Sequence, residues 1–165
     1  MAVETYTTYD DVRAILGVSD EELEDVTLGL SVYSSNLDLE LLAVDDTLPA
    51  TFVSTSATAV SARTATQRKF LTLTSLFAAY TVASQVGTSL ALFAPQSTSD
   101  SKTTVTRFSG DSFQKVLDKV DAQKERLSVE LSTAFADVSG GAAATTPIPT
   151  LLYGVAPAID RVTNA

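Results

Sequence analysis

The chain has 165 residues, which is enough for one modest hydrophobic core, and its 20 acidic and 11 basic side chains give a net charge of −9. It contains no His, Cys or Trp, which excludes imidazole bases, thiolate nucleophiles, disulfide bonds and metal sites built on His or Cys. No glycine-rich phosphate-binding loop is present, so we expect neither an enzyme nor a bound metal or cofactor.

The charges are unevenly distributed along the chain. Residues 1–46 hold twelve of the acids and a single base, whereas residues 47–99 hold three bases and no acid. Bases this dispersed do not make the clustered surface that binds phosphate groups, so we do not expect a DNA-binding site. The acid-rich segment is a solvated face, the wall of a channel, or a surface that meets the bases of a neighbouring copy in a head-to-tail ring. The candidate residues are Asp20, Glu21, Glu22, Glu24 and Asp25 for the acids and Arg63, Arg68 and Lys69 for the bases.

The first two predicted elements are capped helices. Thr8 caps a short helix that has Asp11 in its first turn and ends at Gly17. A second helix is predicted from Ser19, because Glu22 completes a capping box and apolar residues follow at helical spacing. Those apolar residues are Leu23, Val26, Leu30 and Tyr33. Residues 36–44 continue the helical phase but also alternate like a strand, and their leucines favour the helix.

Residues 50–61 are small and hydroxyl-rich, which predicts a loop. The third predicted helix begins near Ala62, ends at Pro95 and carries no charged side chain from residue 70 to residue 93. A helix so apolar must be buried on nearly all sides. Because a chain of this size has few residues to spare for that purpose, we expect neighbouring copies to supply part of the cover.

A membrane span is the alternative for this helix, since its length suffices to cross a bilayer. A hydroxyl or amide side chain on every turn argues against it, and four of these residues share one side of the helix. They are Thr74, Thr81, Gln85 and Thr88. The pattern therefore predicts a helix that contacts protein and has one mildly polar side.

Residues 102–108 are rich in β-branched side chains and predict either a short extended piece or a loop. A fourth helix follows, capped by Ser109 or Asp111. Its buried stripe is Phe113, Val116, Leu117, Val120, Leu127, Leu131 and Phe135. Lys124 interrupts the stripe, and we expect it at the edge of the core with its aliphatic stem packed. Arg126 and Glu130 have the spacing of an ion pair on one helix face.

From residue 140 the chain changes character. Gly140 and Gly141 predict a hinge, and three prolines in residues 145–165 exclude a continuous helix. This segment is nevertheless too apolar for a disordered spacer, so it predicts an extended arm that docks on another chain or folds back on its own bundle. The anchor residues we expect are Ile148, Leu151, Leu152 and Tyr153. The whole chain is thus predicted to be all-α, with a small helical bundle and one long central helix in residues 1–139 and an extended arm in residues 140–165.

The opening of the chain carries a resemblance to a known family. Residues 6–23 read YTTYDDVRAILGVSDEEL, in which the pattern T-x-x-D-V-R-x-x-L-G-V spans the first helix. This segment, with the order of the helices and the C-terminal arm, resembles the head-to-tail connector (adaptor, or head completion) proteins of tailed bacteriophages. The resemblance implies a structural virion protein that forms a ring of about twelve copies beneath the portal and joins the capsid vertex to the tail.

The resemblance also implies the partners. They are the portal protein, a tail or nozzle protein and neighbouring copies, while ejected DNA passes through the ring without specific binding. It implies no membrane and no catalytic or cofactor-binding residue. We therefore expect a protein made in the host cytoplasm and located in the neck of the virion, in keeping with an N-terminus that has no basic and apolar regions of a secretory signal. The alternatives are another phage ring component, such as a tail terminator, or a small membrane-associated helical protein.

Overall fold

A computed structural model gives the structure of residues 2–93, 97–100, 103–106 and 111–140. These residues form a bundle of six α-helices with one short antiparallel β-hairpin. The helices are α1 Tyr9–Leu16, α2 Asp25–Leu28, α3 Ser31–Val44, α4 Leu48–Ser56, α5 Ala65–Phe93 and α6 Asp111–Ser139, and the strands are β1 Ser97–Asp100 and β2 Thr103–Thr106. The predicted all-α class with one long central helix is confirmed.

The two longest helices, α5 and α6, pack as an antiparallel pair. Each has 29 residues, and a rise of about 1.5 Å per residue makes each about 43 Å long. The ring of Phe70 lies 5.9 Å from that of Phe135 at one end of the pair, and Gly87 faces Leu117 nearer the other end. A Cβ atom on Gly87 would lie only 2.4 Å from the Leu117 side chain, so the missing side chain allows the helices to approach closely here.

The first helix forms as predicted. The Thr8 hydroxyl accepts a 3.2 Å hydrogen bond from the Asp11 N–H, and the Asp11 carboxylate accepts a 3.3 Å bond from the Thr8 N–H. Gly17 ends α1 in the left-handed conformation, with φ of 67°. Val12 and Leu16 are buried, so this short helix is held by the core as well as by its cap.

The second predicted helix is wrong over residues 19–30. Ser19 and Glu22 do interact, since the Ser19 N–H donates a 3.0 Å hydrogen bond to the Glu22 carboxylate, but the chain turns there instead of continuing as a helix. Glu24 and Leu30 both have extended backbone angles, and only the four-residue α2 forms between them. The capping box was therefore read correctly as a local contact and wrongly as the start of a long helix.

Tertiary contacts explain the break. Arg13 donates from Nε to the carbonyl of Leu23 at 2.8 Å and from a terminal nitrogen to Asp25, which holds residues 23–25 against α1 where Glu24 has extended backbone angles. As a result, Val26 and Leu30, which were predicted in the buried stripe, are 70% and 50% exposed. Residues 36–44, for which helix and strand were both open, lie in α3 and are helical.

The predicted loop at residues 50–61 is also wrong, because most of it lies in α4 and in a 3₁₀ turn at Val60–Ala62. Pro49 stands in the first turn of α4, where its missing N–H costs nothing. Phe52 is buried, with its ring 5.0 Å from that of Tyr6 and 6.4 Å from that of Phe70. Packing of this one aromatic residue outweighs a hydroxyl-rich composition that favours a loop.

The last helix agrees with its prediction over most of its length. It begins at Asp111, and its buried side chains include five residues of the expected stripe. They are Leu117, Val120, Leu127, Leu131 and Phe135. Of the other two stripe residues, Phe113 is partly buried and Val116 is exposed. In the preceding segment, β2 shows that residues 103–106 are extended rather than a loop.

Two charged contacts of α6 follow the predicted spacing. Lys124 lies at the edge of the core as expected, and its Nζ is 2.6 Å from the carboxylate of Glu40 on α3. Arg126 and Glu130 form the predicted ion pair at 2.8 Å. Lys124 therefore tethers α3 to α6 through an ion pair that its position in the sequence did not reveal.

The chain itself covers most of α5, so the expectation that neighbouring copies must supply this cover is wrong for most of its surface. Helices α1, α3, α4 and α6 all pack on α5. Between residues 70 and 89, only Thr72, Leu76 and Thr88 are exposed. Apart from Thr88, what stays open is a narrow strip that begins near Arg68 and runs through Thr72 and Leu76.

The predicted polar side of α5 lies mostly inside the bundle. Thr74 and Thr81 are completely buried, and the Thr74 hydroxyl donates a 2.9 Å hydrogen bond to the Phe70 carbonyl. Gln85 is half-buried, and Thr88 is exposed. A local bond of this kind satisfies the Thr74 hydroxyl, whereas the buried Thr81 hydroxyl has no hydrogen-bond partner among the described residues. Because both side chains are buried, the stripe does not mark an outer contact surface.

Candidate interaction surfaces

The open strip of α5 forms one wall of a groove, and α1 forms the other. This α1–α5 groove has a volume of about 700 Å³. Its main lining residues are Asp11, Ala14 and Ile15 from α1 and Thr72, Leu76 and Tyr80 from α5. At Ile15 and Tyr80 it continues into a depression of about 500 Å³ that also touches α6 at Val116. Leu76 and Val116 are 42% and 37% exposed, so the floor is apolar and reachable from solvent.

On its other flank, α1 borders a depression of about 780 Å³ in which four of the eight lining residues are acids, beside Arg13 and three apolar residues. The acids are Asp10, Asp20, Glu24 and Asp25. Among the residues that the structure describes, no group of three or more carboxylates is arranged to hold a metal ion. Ala14 borders both this acidic depression and the α1–α5 groove, so α1 separates two surfaces of different chemistry.

Arg13 organises the acidic side. Its guanidinium donates to the Leu23 carbonyl, to Asp10 at 3.0 Å and to Asp25, while its side chain is only 8% exposed. The hydrogen bond with Asp25, with a further contribution from Asp10, raises the pKa of Arg13 above its ordinary value. Of the predicted acids, Asp25 is thus bound to Arg13 and Glu22 to Ser19, whereas Asp20, Glu21 and Glu24 are exposed.

The three predicted bases are not equivalent. Arg63 donates from Nε to the Thr58 carbonyl at 2.9 Å and from its terminal nitrogen to the Ser56 carbonyl at 2.6 Å. It therefore satisfies carbonyl groups at the end of α4, which makes it part of the fold. Arg68 and Lys69 are exposed near the start of α5. Within the described part of one chain, no ion pair joins these bases to the acids of residues 20–25.

Helix α3 has a second apolar surface that faces solvent. Its buried side consists of Tyr33, Leu37 and Leu41. On the opposite side, Val32, Leu39 and Leu42 are 53%, 64% and 41% exposed. A helix that is apolar on two sides is ordinarily covered on both.

Sequence reasoning found part of these surfaces. It identified the acids and bases, but it missed the role of Arg13, for which the signal was a lone base among twelve acids in residues 1–46. It also missed the α1–α5 groove, since Ile15 and Tyr80 come from elements far apart in the chain and neither element predicts the other's position. The predicted arm anchors Ile148, Leu151, Leu152 and Tyr153 lie outside the described residues.

One helix of the described chain has the length and composition of a membrane span. It is Ala65–Ser89 of α5, with a mean hydropathy of 1.2 over its most apolar window, of which 61% is buried in the bundle. The core helix of a soluble protein has the same properties. Comparisons with protein-family models, with curated proteins and with solved structures give no match to this chain.

Proposed function

We propose that this chain is a structural ring component of the neck of a tailed bacteriophage, which joins the portal to the tail and continues the DNA channel. The observation that carries the proposal is the segment of residues 6–23, which resembles the opening of head-to-tail connector proteins. Its Asp-Val-Arg run has a physical role here, because Asp11 closes the cap of α1, Val12 enters the core and Arg13 holds the following segment.

Two further features support a protein that works by contact with other chains. The α1–α5 groove and the outer side of α3 are both apolar and open to solvent. The net charge of −9 suits the wall of a DNA channel, since a negative surface repels the duplex and keeps it from binding on its way through. A membrane role receives less support, because the helix that could span a bilayer is the one around which the bundle packs.

The test is assembly on a portal ring. The full-length chain is mixed with the portal protein of the genome that encodes it and, separately, with the tail-tube protein of that genome, and masses are measured by native mass spectrometry. We expect a complex with the portal that contains about twelve copies of this chain, and electron microscopy should show an axial channel through it. Binding to the tail tube and not to the portal would favour a tail terminator, and binding to neither would overturn the proposal.

A further inference from the structure

The outer side of α3 carries no charge between its apolar residues. Val32, Leu39 and Leu42 share this side with Ser35, Asn36 and Ala43, and all six are exposed. In the described chain nothing packs on it. Exposed apolar residues are common singly, but three on one side of a 14-residue helix form a ridge suited to another protein.

The C-terminal end of α3 and the N-terminal end of α5 carry charges of opposite sign. The last turn of α3 has no basic residue, and Asp45 and Asp46 follow it directly, next to the partial negative charge of the helix C-terminus. The first turn of α5 has no acid, and Arg68 and Lys69 follow it near the partial positive charge of the N-terminus. Asp45 and Asp46 also precede the N-terminus of α4, which favours acids, so the placement that is unfavourable within one chain is that of Arg68 and Lys69. An acidic group from another copy would relieve it.

The two surfaces also match in length. From Val32 to Val44, the last residue of α3, the ridge side extends about 18 Å, with Asp45 and Asp46 just beyond it, and from Tyr80 to Arg68 the groove side of α5 also extends about 18 Å, at about 1.5 Å per residue. If the helices lie antiparallel, the acidic end of α3 meets the basic end of α5 while Val32 meets the apolar end of the groove. A parallel arrangement would place Asp46 beside Tyr80 and leave Arg68 and Lys69 uncompensated.

The ridge and the groove are separate surfaces of the described chain. The lining of the groove includes no residue of α3. On α5, Leu76 faces the groove, whereas Thr74 and Ala78, each about 160° away around the helix, are completely buried. Because the ridge is exposed and does not line the groove, the two surfaces do not meet within the described part of one chain. A contact between them would join one chain to the next in a head-to-tail manner, as in a ring.

We infer that the outer side of α3 in one copy docks antiparallel in the α1–α5 groove of the next copy. In this contact Val32 lies near Tyr80, Leu42 lies near Thr72, and Asp46 lies near Arg68 and Lys69. The mode is that of a helix in a groove, with apolar anchors in the centre and a charge pair at one end. The inference rests on the proposed function, to which it adds the residues of the subunit contact. It assigns Asp46, and not the acids of residues 20–25, to the bases of α5.

Disulfide trapping tests the contact, because the chain has no cysteine of its own. The double variant Ala43→Cys, Thr72→Cys places one thiol on the ridge and one in the groove, both at exposed positions. On mild oxidation we expect a ladder of covalent dimers, trimers and larger species in a non-reducing gel, either in free solution or on the portal ring. Each single variant should give no ladder. The matched control Ala43→Cys, Val129→Cys, with the second thiol at a 70% exposed site on α6, should give none either.

The outcomes separate this inference from the proposed function. No ladder from the ridge–groove pair, both in free solution and on the portal ring, overturns the inference, and a ring of unchanged mass on the portal would then leave the proposed function standing. A ladder in a protein that binds no portal would support the contact and overturn the phage role. A ladder from the control pair as well would show unspecific collision and would also overturn the inference.

Charge reversal gives an independent measurement. Asp46→Lys and Lys69→Glu should each weaken self-association about two- to five-fold, and the double variant should recover most of the loss, because the exchanged charges attract again. Lys115→Glu, on an exposed part of α6, is the matched control and should leave self-association unchanged. Added salt should reduce these differences. If the double variant loses as much self-association affinity as the two single variants combined, Asp46 and Lys69 do not meet. That result would overturn the assigned register.

Discussion

Arg13 shows how one residue can determine the path of a segment. Its side chain is 8% exposed, and its Nε donates to the Leu23 carbonyl inside the fold. Arg13→Met keeps much of the packing of the aliphatic stem but leaves that carbonyl without its donor. We therefore expect the free energy of unfolding to fall by about 1–3 kcal/mol, measured by urea unfolding.

The matched control for this variant is Arg126→Met. Arg126 pairs with Glu130 at the surface, where its side chain is 69% exposed. Exposed pairs of this kind contribute little, so we expect a change of about 0.5 kcal/mol or less. If both variants lowered the free energy of unfolding equally, the hydrogen bond to Leu23 would contribute no more than a surface ion pair. The break in the helix between residues 19 and 30 would then need another cause.

A second residue-level prediction concerns pH. Hydrogen bonds from Thr8 lower the pKa of Asp11 below its ordinary value of 3.8. A carboxyl group whose pKa is lower in the folded state stabilises the fold above its unfolded pKa, and this contribution is lost as the pH falls through the folded pKa. We therefore expect Asp11→Asn to lower the urea midpoint at about pH 7 and to differ little from the wild type below about pH 3. A difference that stays constant over this range would show that the charge of Asp11 has no part in the cap.

At the scale of elements, α4 is held by four buried residues, of which Phe52 is the largest. A nine-residue helix is not stable by itself, and Phe52 provides its aromatic contacts, to Tyr6 and Phe70. We expect Phe52→Ala to lower the free energy of unfolding by about 3–5 kcal/mol in urea unfolding. Val53→Ala, next in the chain but 43% exposed, should change it by about 0.5 kcal/mol or less. Similar effects at both positions would mean that α4 is not held through Phe52.

The elements that the sequence predicted well are those fixed by local chemistry. The cap at Thr8 and the stop at Gly17 define α1. The long uncharged run of α5 and the apolar periodicity of α6 need no tertiary information to be recognised. By contrast, residues 19–30 and 50–61 were misread because Arg13 and Phe52 act on them through contacts that are distant in sequence. Their local patterns, a capping box and a hydroxyl-rich run, were correctly recognised but were overridden.

From the sequence, only the charged residues of the candidate surfaces could be predicted. Arg63 and Arg68 look alike in the sequence, yet Arg63 satisfies carbonyl groups at the end of α4 whereas Arg68 remains exposed. The groove required knowing that α1 and α5 lie side by side, which no periodicity reveals. The outer side of α3 could have been suspected from Leu37, Leu39 and Leu42, since these residues cannot all face one core.

At the scale of the whole molecule, the bundle has two apolar surfaces of different shape. Neither surface is complementary to the same surface on a second copy. The α1–α5 groove is concave, whereas the outer side of α3 is an exposed helix face that does not line the groove. A two-fold dimer would need the same patch on both partners, while a contact between unlike patches repeats from copy to copy and closes into a ring or continues as a filament. The arrangement therefore agrees with the proposed ring without depending on full cover of α5 by neighbours.

The C-terminal arm provides the last prediction at this scale. Helix α6 ends at Ser139, and Gly140 follows with φ of 69°, so a chain that stops after Gly140 keeps the end of the last described helix intact. We expect this truncation to leave the helical circular dichroism and the urea midpoint unchanged and to abolish binding to the portal ring, measured by co-sedimentation. A full-length variant with Ile148, Leu151, Leu152 and Tyr153 all changed to Ser should behave in the same way, because apolar anchors and not chain length provide the attachment. A lower urea midpoint in both variants would instead show that the arm packs on its own bundle, and undiminished portal binding would show that the bundle alone makes the attachment.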